Sequence, residues 1–285
     1  MGDSVLDIPI RSDKLRLRAR IAEVLAHEVT PYQTIDIVRT DVFGKVLTLD
    51  NHIQLTELDE CAYHEALVHI PLANVVKPER ALIIGGGDGG VLREILRWPS
   101  VLRVDMVEID RQVVEVCRRV LPEVSAGAFD DPRTNLVIGD AFAFAREASE
   151  SYDLIVVDAT DVYEEEEGSL SEQLFTDPFY QDCRRLLAPG GLVVTQADNH
   201  IFCPYSLEGA LATFGRVFPR VGWYQAVIPS FGGFSAYAWA AVDGGVGPDA
   251  AVLSRAPSGL RYLNEATYRF AFSSLPYHSH EHSVS

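Results

Sequence analysis

"ALIIGGGDGGVLREIL", residues 81–96, decides the fold. An apolar run ends at Gly85, glycines surround Asp88 as far as Gly90, and apolar residues then recur at helical spacing. Strand, glycine turn and helix form the opening unit of a nucleoside-binding sheet. Glycines let the chain turn tightly and let a ligand approach the backbone. A glycine-rich run alone is weak, but its place between strand and helix gives it weight. The loop lacks the Gly-Lys-Ser/Thr of a phosphate loop, and the three lysines, Lys14, Lys45 and Lys77, lie elsewhere. Nucleoside triphosphate chemistry is therefore not expected.

The same rhythm continues downstream. Strands are read at "RALIIG", "RVDMVEI", "TNLVIG", "YDLIVVD", "GLVVTQ", "GWYQAVI" and "FSAYAWAA", with helices at "RQVVEVCRRVL", "AFAFAREA", "PFYQDCRRLLA" and "SLEGALATFGRVF". Short apolar strands alternating with helices predict an α/β domain with a parallel, doubly wound sheet over residues 76–285. Upstream the texture differs. "HEVTPYQTIDIVRT" and "GKVLTLDNHIQLTE" alternate as strands about a turn at Phe43–Gly44. They predict a small antiparallel β domain over residues 1–75, which also takes in the helical spacing of "DECAYHEALVHIPLA". "NVVKPER" reads as the linker.

The 285 residues are 47% hydrophobic and 23% charged, with a net charge of −17. That charge argues against nucleic acid or an anionic membrane as partner and suits a cationic substrate. No apolar run is long enough for a transmembrane helix, and no secretory leader is read, so a cytoplasmic location is expected. Cys61, Cys117, Cys183 and Cys203 are scattered and read as reduced, inert thiols.

Ligands of such sheets bind at the carboxyl ends of the strands. Glu108 lies eighteen residues past Gly90, where an acid commonly holds ribose hydroxyls, and Asp140 follows the third strand, where it could accept from an adenine amine. In "VVDATDVYEEEEGSL", residues 156–170, the fourth strand runs into Asp158, Asp161 and Glu164 to Glu167. Any one such acid reads equally as a solvated strand end; successive ones beside a glycine loop point to a nucleoside site. Asp88 inside the loop would repel a pyrophosphate, which separates NAD-type enzymes from S-adenosylmethionine-type ones. It would also disfavour a ligand carboxylate and accept an amine, as decarboxylated S-adenosylmethionine requires.

"LIIGGGDGGVLREIL", "MVEID", "DDPRTNLVIGDAF", "YDLIVVDATD", "LFTDPFY" and "IPSFGG" together resemble the polyamine aminopropyltransferases, the spermidine synthase family, from about residue 30 to "RYLNEATYRFAFSSLP". The resemblance implies a Rossmann-like domain of class I methyltransferase type and homodimers or homotetramers. It also implies aminopropyl transfer from decarboxylated S-adenosylmethionine to a diamine or polyamine, with putrescine as default acceptor and release of methylthioadenosine. Carried over, it places Gln33, Gln54, Gly85, Gly87, Asp88, Glu108, Asp140 and Ala141 on the nucleoside cosubstrate. Asp158 would be the base, assisted by Tyr63. His64, Asp88, Asp161 and Phe231 would meet amino groups. The chain departs from the family pattern in the "DVYEEEEGSLSEQ" loop, in "IPSF", where Phe231 replaces a tyrosine, and in "QAD", with Asp198 for glutamate. All three lie on the amine side.

Such a transfer joins an amine nitrogen to the methylene beside a sulfonium and calls for no metal or resident cofactor. Its difficulty is the nucleophile: an amine of pKa ~10.4 is only about 0.1% neutral at pH 7.4, a handicap of roughly 4 kcal/mol. A carboxylate at the reacting nitrogen answers it. Two other readings stand beside this one, a methyltransferase using S-adenosylmethionine and a non-catalytic polyamine or nucleoside binder. His200 reads as a loop histidine, and "HSHEHS", His278 to His282, as a C-terminal tail. Trp223, Tyr224, Tyr237 and Trp239 read as strand core.

Overall fold

Alternating apolar residues build the first of two sheets in this computed structural model, which describes residues 5–10, 12–159 and 176–275. Strands β1 (Val5–Ile10), β2 (Ser12–Val29), β3 (Thr34–Thr40), β4 (Gly44–Leu49) and β5 (His52–Thr56) form an antiparallel meander in that order. On one face Ile35, Ile37, Leu47, Leu49 and Leu55 are buried against Val113, Val116 and Cys117 of the second domain. On the other, Leu6 and Ile8 close over Val38 and Val46. Asp50 and Asn51 turn β4 into β5 with φ of 47° and 63°, the left-handed pair of a tight hairpin. The sequence reading assigns no element to residues 5–26, which here form β1 and most of β2. "SDKLRLRAR" carries its arginines outward, and Arg16 and Arg18 pair with Asp7 across the hairpin, so charge masks the alternation.

The second sheet holds β6 (Arg80–Gly85), β7 (Arg103–Glu108), β8 (Thr134–Ile138), β9 (Tyr152–Asp158), β10 (Leu187–Gln196), β11 (Arg220–Ile228) and β12 (Gly233–Ala241). Their order is β11-β12-β10-β9-β6-β7-β8. The strands from β6 to β10 run parallel. At the far edge β12 is antiparallel to both β10 and β11. The link Pro229 to Gly232 is too short for a parallel crossover, so a hairpin closes the sheet where the strand rhythm predicts parallel pairing. Strand order reverses between β6 and β9, which opens a crevice at their carboxyl ends.

Helix α1 (Glu60–Asn74) is buried nearly all round, its Glu60, His64, Glu65 and His69 included, and these polar groups are hydrogen-bonded inside. Its Ala66, Leu67 and Ile70 share a core with Ile83, Val156 and Val194 of the large sheet and with Val91 and Leu92 of α2 (Gly90–Leu96). Burying Leu67 or Ile70 in this way contributes about 1.5–3 kcal/mol each. The sequence reading groups α1 with the N-terminal strands; its packing joins it to the large sheet. Helices α3 (Arg111–Val120) and α4 (Pro122–Ser125) follow β7. The opposite face is covered by α5 (Ala141–Glu147), α6 (Asp177–Leu186) and α7 (Pro204–Val217) through Phe179, Tyr180 and Phe214. Helix α8 (Glu265–Ala271) closes the described chain behind a capping box at Asn264. Cys117, Cys183 and Cys203 are buried and Cys61 is half-buried, and no disulfide joins cysteines among the described residues. Among the described residues no helix is long and apolar enough to cross a membrane.

Candidate active site

A cavity of about 410 Å³ lies between the N-terminal sheet and the carboxyl ends of β6 to β9. That volume is in the range of metabolite sites, about 300–1,000 Å³. Gln33 and Gln54 face it from one side; Gly85, Gly87, Asp88, Glu108, Asp140, Ala141 and Asp158 face it from the other, with Tyr63 and Phe231 at one end. The fold thus brings together residues spread from position 33 to position 231.

The glycine loop is pressed onto the end of β9. Gly85 has φ +80°, and a Cβ there would lie 2.4 Å from the Asp158 carbonyl oxygen, so only glycine fits. The Gly86 N–H donates to that same oxygen at 2.9 Å. This stitching sets the Asp158 side chain beside the loop. Asp88 accepts from the Gly90 N–H at 2.7 Å through Oδ1.

Glu108, at the end of β7, is buried and accepts the Asp110 N–H at 2.9 Å. Burial, reinforced by the charges of Asp110 and Asp88, pushes its pKa up to about 7. Asp110 caps α3 by accepting from Gln112 N–H at 3.0 Å, while its other oxygen accepts from Thr30 Oγ1 at 2.7 Å and Gln33 Nε2 at 3.2 Å. It therefore positions Gln33 across the domain junction. The sequence reading passes over Asp110, although an aspartate just before a helical run is a capping signal. Asp140 likewise caps α5 through the Phe142 N–H at 2.8 Å, which fixes Ala141 at the first helical position.

At the opposite end the Tyr63 hydroxyl donates to Asp158 Oδ1 at 2.5 Å, the length of a charge-assisted bond. Tyr63 rides on α1 and is wedged by Phe231, edge-on at 5.6 Å, and Tyr237 at 5.8 Å. Behind it Tyr237 stacks on Tyr224 at 5.2 Å, and the Tyr224 hydroxyl donates to the Ala66 carbonyl at 3.1 Å. The segment carrying Phe231 is anchored by Asp59, which accepts from Ser230 N–H at 2.8 Å and Ser230 Oγ at 2.9 Å. Asp198 also lines this end. Its backbone is left-handed at φ 60°, held by the Ala236 N–H on its carbonyl at 2.7 Å and by its own N–H to Gln196 Oε1 at 3.0 Å. Left-handed backbone in a non-glycine residue concentrates at functional sites. Pro9 and Ile10 of β1 complete the wall. Both escape the sequence reading, because charge on the outer face of β2 masks the β1–β2 hairpin that delivers them.

His64, expected beside the amine, stands behind Asp88 and is only 1% exposed. Its Nδ1 lies 2.8 Å from Glu60 and its Nε2 3.4 Å from Asp88. Tyr63 and His64 are neighbours about 100° apart on one helix, so the turn that aims Tyr63 at the cavity aims His64 elsewhere. Asp161 lies outside the described residues, as do Glu164 to Glu167 and His278 to His282. The arrangement is an acid-rimmed cavity with one carboxylate hydrogen-bonded to a tyrosine at its end, suited to cationic ligands and to proton acceptance from an amine.

Comparison with known proteins gives the family. Residues 60–242 match the spermine/spermidine synthase domain, and residues 8–57 match the spermidine synthase tetramerisation domain. The polyamine aminopropyltransferase of Pectobacterium carotovorum subsp. carotovorum (strain PC1) is 45% identical over 221 residues, covering 77% of this chain and 75% of that one. That of Salmonella newport (strain SL254) is 40% identical over 270 residues, covering 92% and 91%. A crystal structure of spermidine synthase in complex with the transition state analogue AdoDATO superposes with a TM-score of 0.88 at 29% identity, covering 96% of this chain and 93% of that one. Spermidine synthase from Thermotoga maritima gives 0.86 at 28% identity, covering 96% and 92%. The chain belongs to the spermine/spermidine synthase family and is a polyamine aminopropyltransferase.

Proposed function

We propose that the enzyme transfers the aminopropyl group of decarboxylated S-adenosylmethionine to a diamine, putrescine by default, releasing methylthioadenosine. The observation that carries this reading is the Tyr63–Asp158 hydrogen bond of 2.5 Å at one end of an acid-lined cavity. Glu108 accepts from the ribose hydroxyls, Asp140 and Ala141 meet the adenine, and Gln33 and Gln54 cover the nucleoside from the N-terminal sheet. Asp88 takes the amino group of the donor. The absent donor carboxylate is what lets an anionic loop bind this cosubstrate.

In the reaction the acceptor nitrogen attacks the methylene carbon next to sulfur. The carbon–sulfur bond breaks, and its electron pair leaves with methylthioadenosine. The nitrogen loses its proton to Asp158, which Tyr63 orients by its hydrogen bond. Alignment of nitrogen, carbon and sulfur between the two ends of the cavity supplies much of the remaining acceleration. Asp158 and Asp198 make the acceptor end anionic, while Phe231, Ile10 and Pro9 line it with apolar surface for a methylene chain. The match of residues 8–57 to a tetramerisation domain supports a homo-oligomer, a homodimer or homotetramer, and a cytoplasmic location completes the reading.

The test is incubation with decarboxylated S-adenosylmethionine and a panel of putrescine, cadaverine, agmatine and spermidine, read by mass spectrometry. Spermidine and methylthioadenosine in equal amounts are expected with putrescine. A preference for another amine would overturn the default acceptor, and no methylthioadenosine with any amine would overturn the donor.

A further inference from the structure

Asp59 stands at the N-cap of α1, where an aspartate ordinarily turns back to accept from the first N–H groups of its own helix. Its side chain makes no such bond. Buried at 6% exposure, it reaches instead to the short turn Pro229–Phe231 between β11 and β12. Oδ2 accepts from the Ser230 N–H at 2.8 Å, and Oδ1 accepts from the Ser230 hydroxyl at 2.9 Å and from the Thr56 hydroxyl at 2.5 Å. The main chain of the same residue starts the helix: its carbonyl accepts from the Ala62 N–H at 2.9 Å and from the Tyr63 N–H at 3.4 Å. One residue thus holds Phe231, through Ser230, and Tyr63, through the first turn of α1. The two rings meet edge-on at 5.6 Å, and the Tyr63 hydroxyl goes on to Asp158 at 2.5 Å. Tyr63 and Phe231 line the cavity, and Asp59 lies behind them.

We propose that Asp59 is a positioning residue for the acceptor end, setting Phe231 against Tyr63 and with it the width of the space that receives the methylene chain of the amine. The turn has other ties, so the Asp59 grip governs where Phe231 sits rather than whether the turn forms. Asn199, after β10, donates from Nδ2 to the Phe231 carbonyl at 2.9 Å, and its Oδ1 accepts from the Ile201 and Phe202 N–H groups at 3.0 and 3.1 Å. On either side of the turn β11 and β12 stay paired as far as Ile228 and Gly233. Without the Asp59 side chain the turn remains tied to Asn199 and to the sheet, and Phe231 can pivot between them. A ring that walls a narrow space moves the amine when it moves, and a misplacement of about 1 Å can cost about 10²-fold in rate. Asp59 acts through Ser230 and Phe231, and its role rests on the reading of the acceptor end given under Proposed function.

The test reads the ratio of kcat/KM for putrescine to that for cadaverine, which does not depend on how much of a preparation is folded, together with methylthioadenosine affinity by calorimetry. Asp59→Ala is expected to lower kcat/KM for putrescine about 10–100-fold and to shift the ratio about three- to tenfold, while methylthioadenosine affinity stays within about threefold. Asp59→Asn should return the ratio to within about twofold of wild type, because the amide oxygen can take the Ser230 N–H and the amide nitrogen can donate to the two hydroxyls. An unchanged ratio in Asp59→Ala, a loss of methylthioadenosine affinity as large as the loss with the amine, or a ratio as disturbed in Asp59→Asn as in Asp59→Ala would each overturn the proposal. Phe231→Ala separates this from the underlying reading. It should shift the ratio by itself; if it does not, the assignment of the acceptor end falls, and the proposal with it. If Asp59→Ala does not fold, Ser230→Ala decides, since it removes the hydroxyl bond and keeps the backbone one. The ratio should then shift about two- to threefold, and an unchanged ratio would overturn the proposal.

Discussion

The two ends of the cavity are built by different rules. At the proposed donor end the acids stand at strand ends of one sheet: Asp88 after β6, Glu108 closing β7 and Asp140 after β8. Each is tied to the backbone N–H of its own turn or helix start. At the acceptor end, Asp158 of β9 meets Tyr63 of α1, Phe231 from beyond β11, Asp198 from beyond β10 and Ile10 of β1. A site written into one sheet changes only with the sheet. A site assembled from remote segments can change one segment at a time, and it is there that the chain departs from the family pattern, at Phe231 and Asp198. On the proposed reading, the donor end is fixed by the sheet and the acceptor end is open to substitution one segment at a time.

Asp158 carries the proposed proton transfer at the acceptor end, and its loss is expected to have the largest effect. Asp158→Asn should lower kcat by about 10²–10⁴, the range for losing a general base. Methylthioadenosine affinity, measured by calorimetry, should stay near the wild-type value. Near-wild-type turnover would remove Asp158 from the chemistry and erase the contrast between the ends.

Glu108→Gln is expected to act at the donor end alone, weakening methylthioadenosine by about 10–100-fold through loss of a charged acceptor, about 1.5–3 kcal/mol. Its pH dependence sharpens the test. The carboxyl has a pKa of about 7 when folded against an ordinary 4.5, so the folded chain holds this proton more tightly than the unfolded chain. Its contribution to stability is therefore full below about pH 4.5 and is lost as pH rises through 7. Nucleoside binding runs the other way, because the ionised carboxylate is the better acceptor: wild-type affinity should improve between about pH 6 and 8. In Glu108→Gln both slopes should flatten. A wild-type affinity that is flat with pH would show that the charge on Glu108 is not what the ribose needs.

Much of this contrast was legible in the sequence. The spacing from Gly90 to Glu108, and the acids after each apolar run, follow from a parallel sheet whose strands all end on one side. The acceptor end was less so. Charges on the outer face of β2 hide the hairpin that delivers Pro9 and Ile10. In α1 the apolar residues show no single face, which does not say which side meets the cavity, so Tyr63 and His64 look equivalent until the helix is docked. The edge hairpin of β11 and β12 was hidden by strands that are apolar on both faces whichever way they run. Asp110 shows the opposite case, a local capping signal whose reach to Gln33 only the fold reveals.

A smaller effect is expected from Phe231→Tyr, which adds one hydroxyl at the acceptor end. A neutral hydrogen bond contributes about 0.5–1.5 kcal/mol, so the ratio of kcat/KM between putrescine and cadaverine should shift about two- to tenfold. Methylthioadenosine affinity should not move. A loss of nucleoside affinity instead would place Phe231 on the wrong side of the division.

The division itself is tested most directly by combining the two ends in one double-mutant cycle. The quantity is kcat/KM for putrescine at a fixed, sub-saturating donor concentration, measured for wild type, Glu108→Gln, Phe231→Tyr and the double variant. Ends that are separate should give losses that add within about 0.5 kcal/mol. A coupling above about 1 kcal/mol would contradict separate ends and make the cavity a single cooperative site.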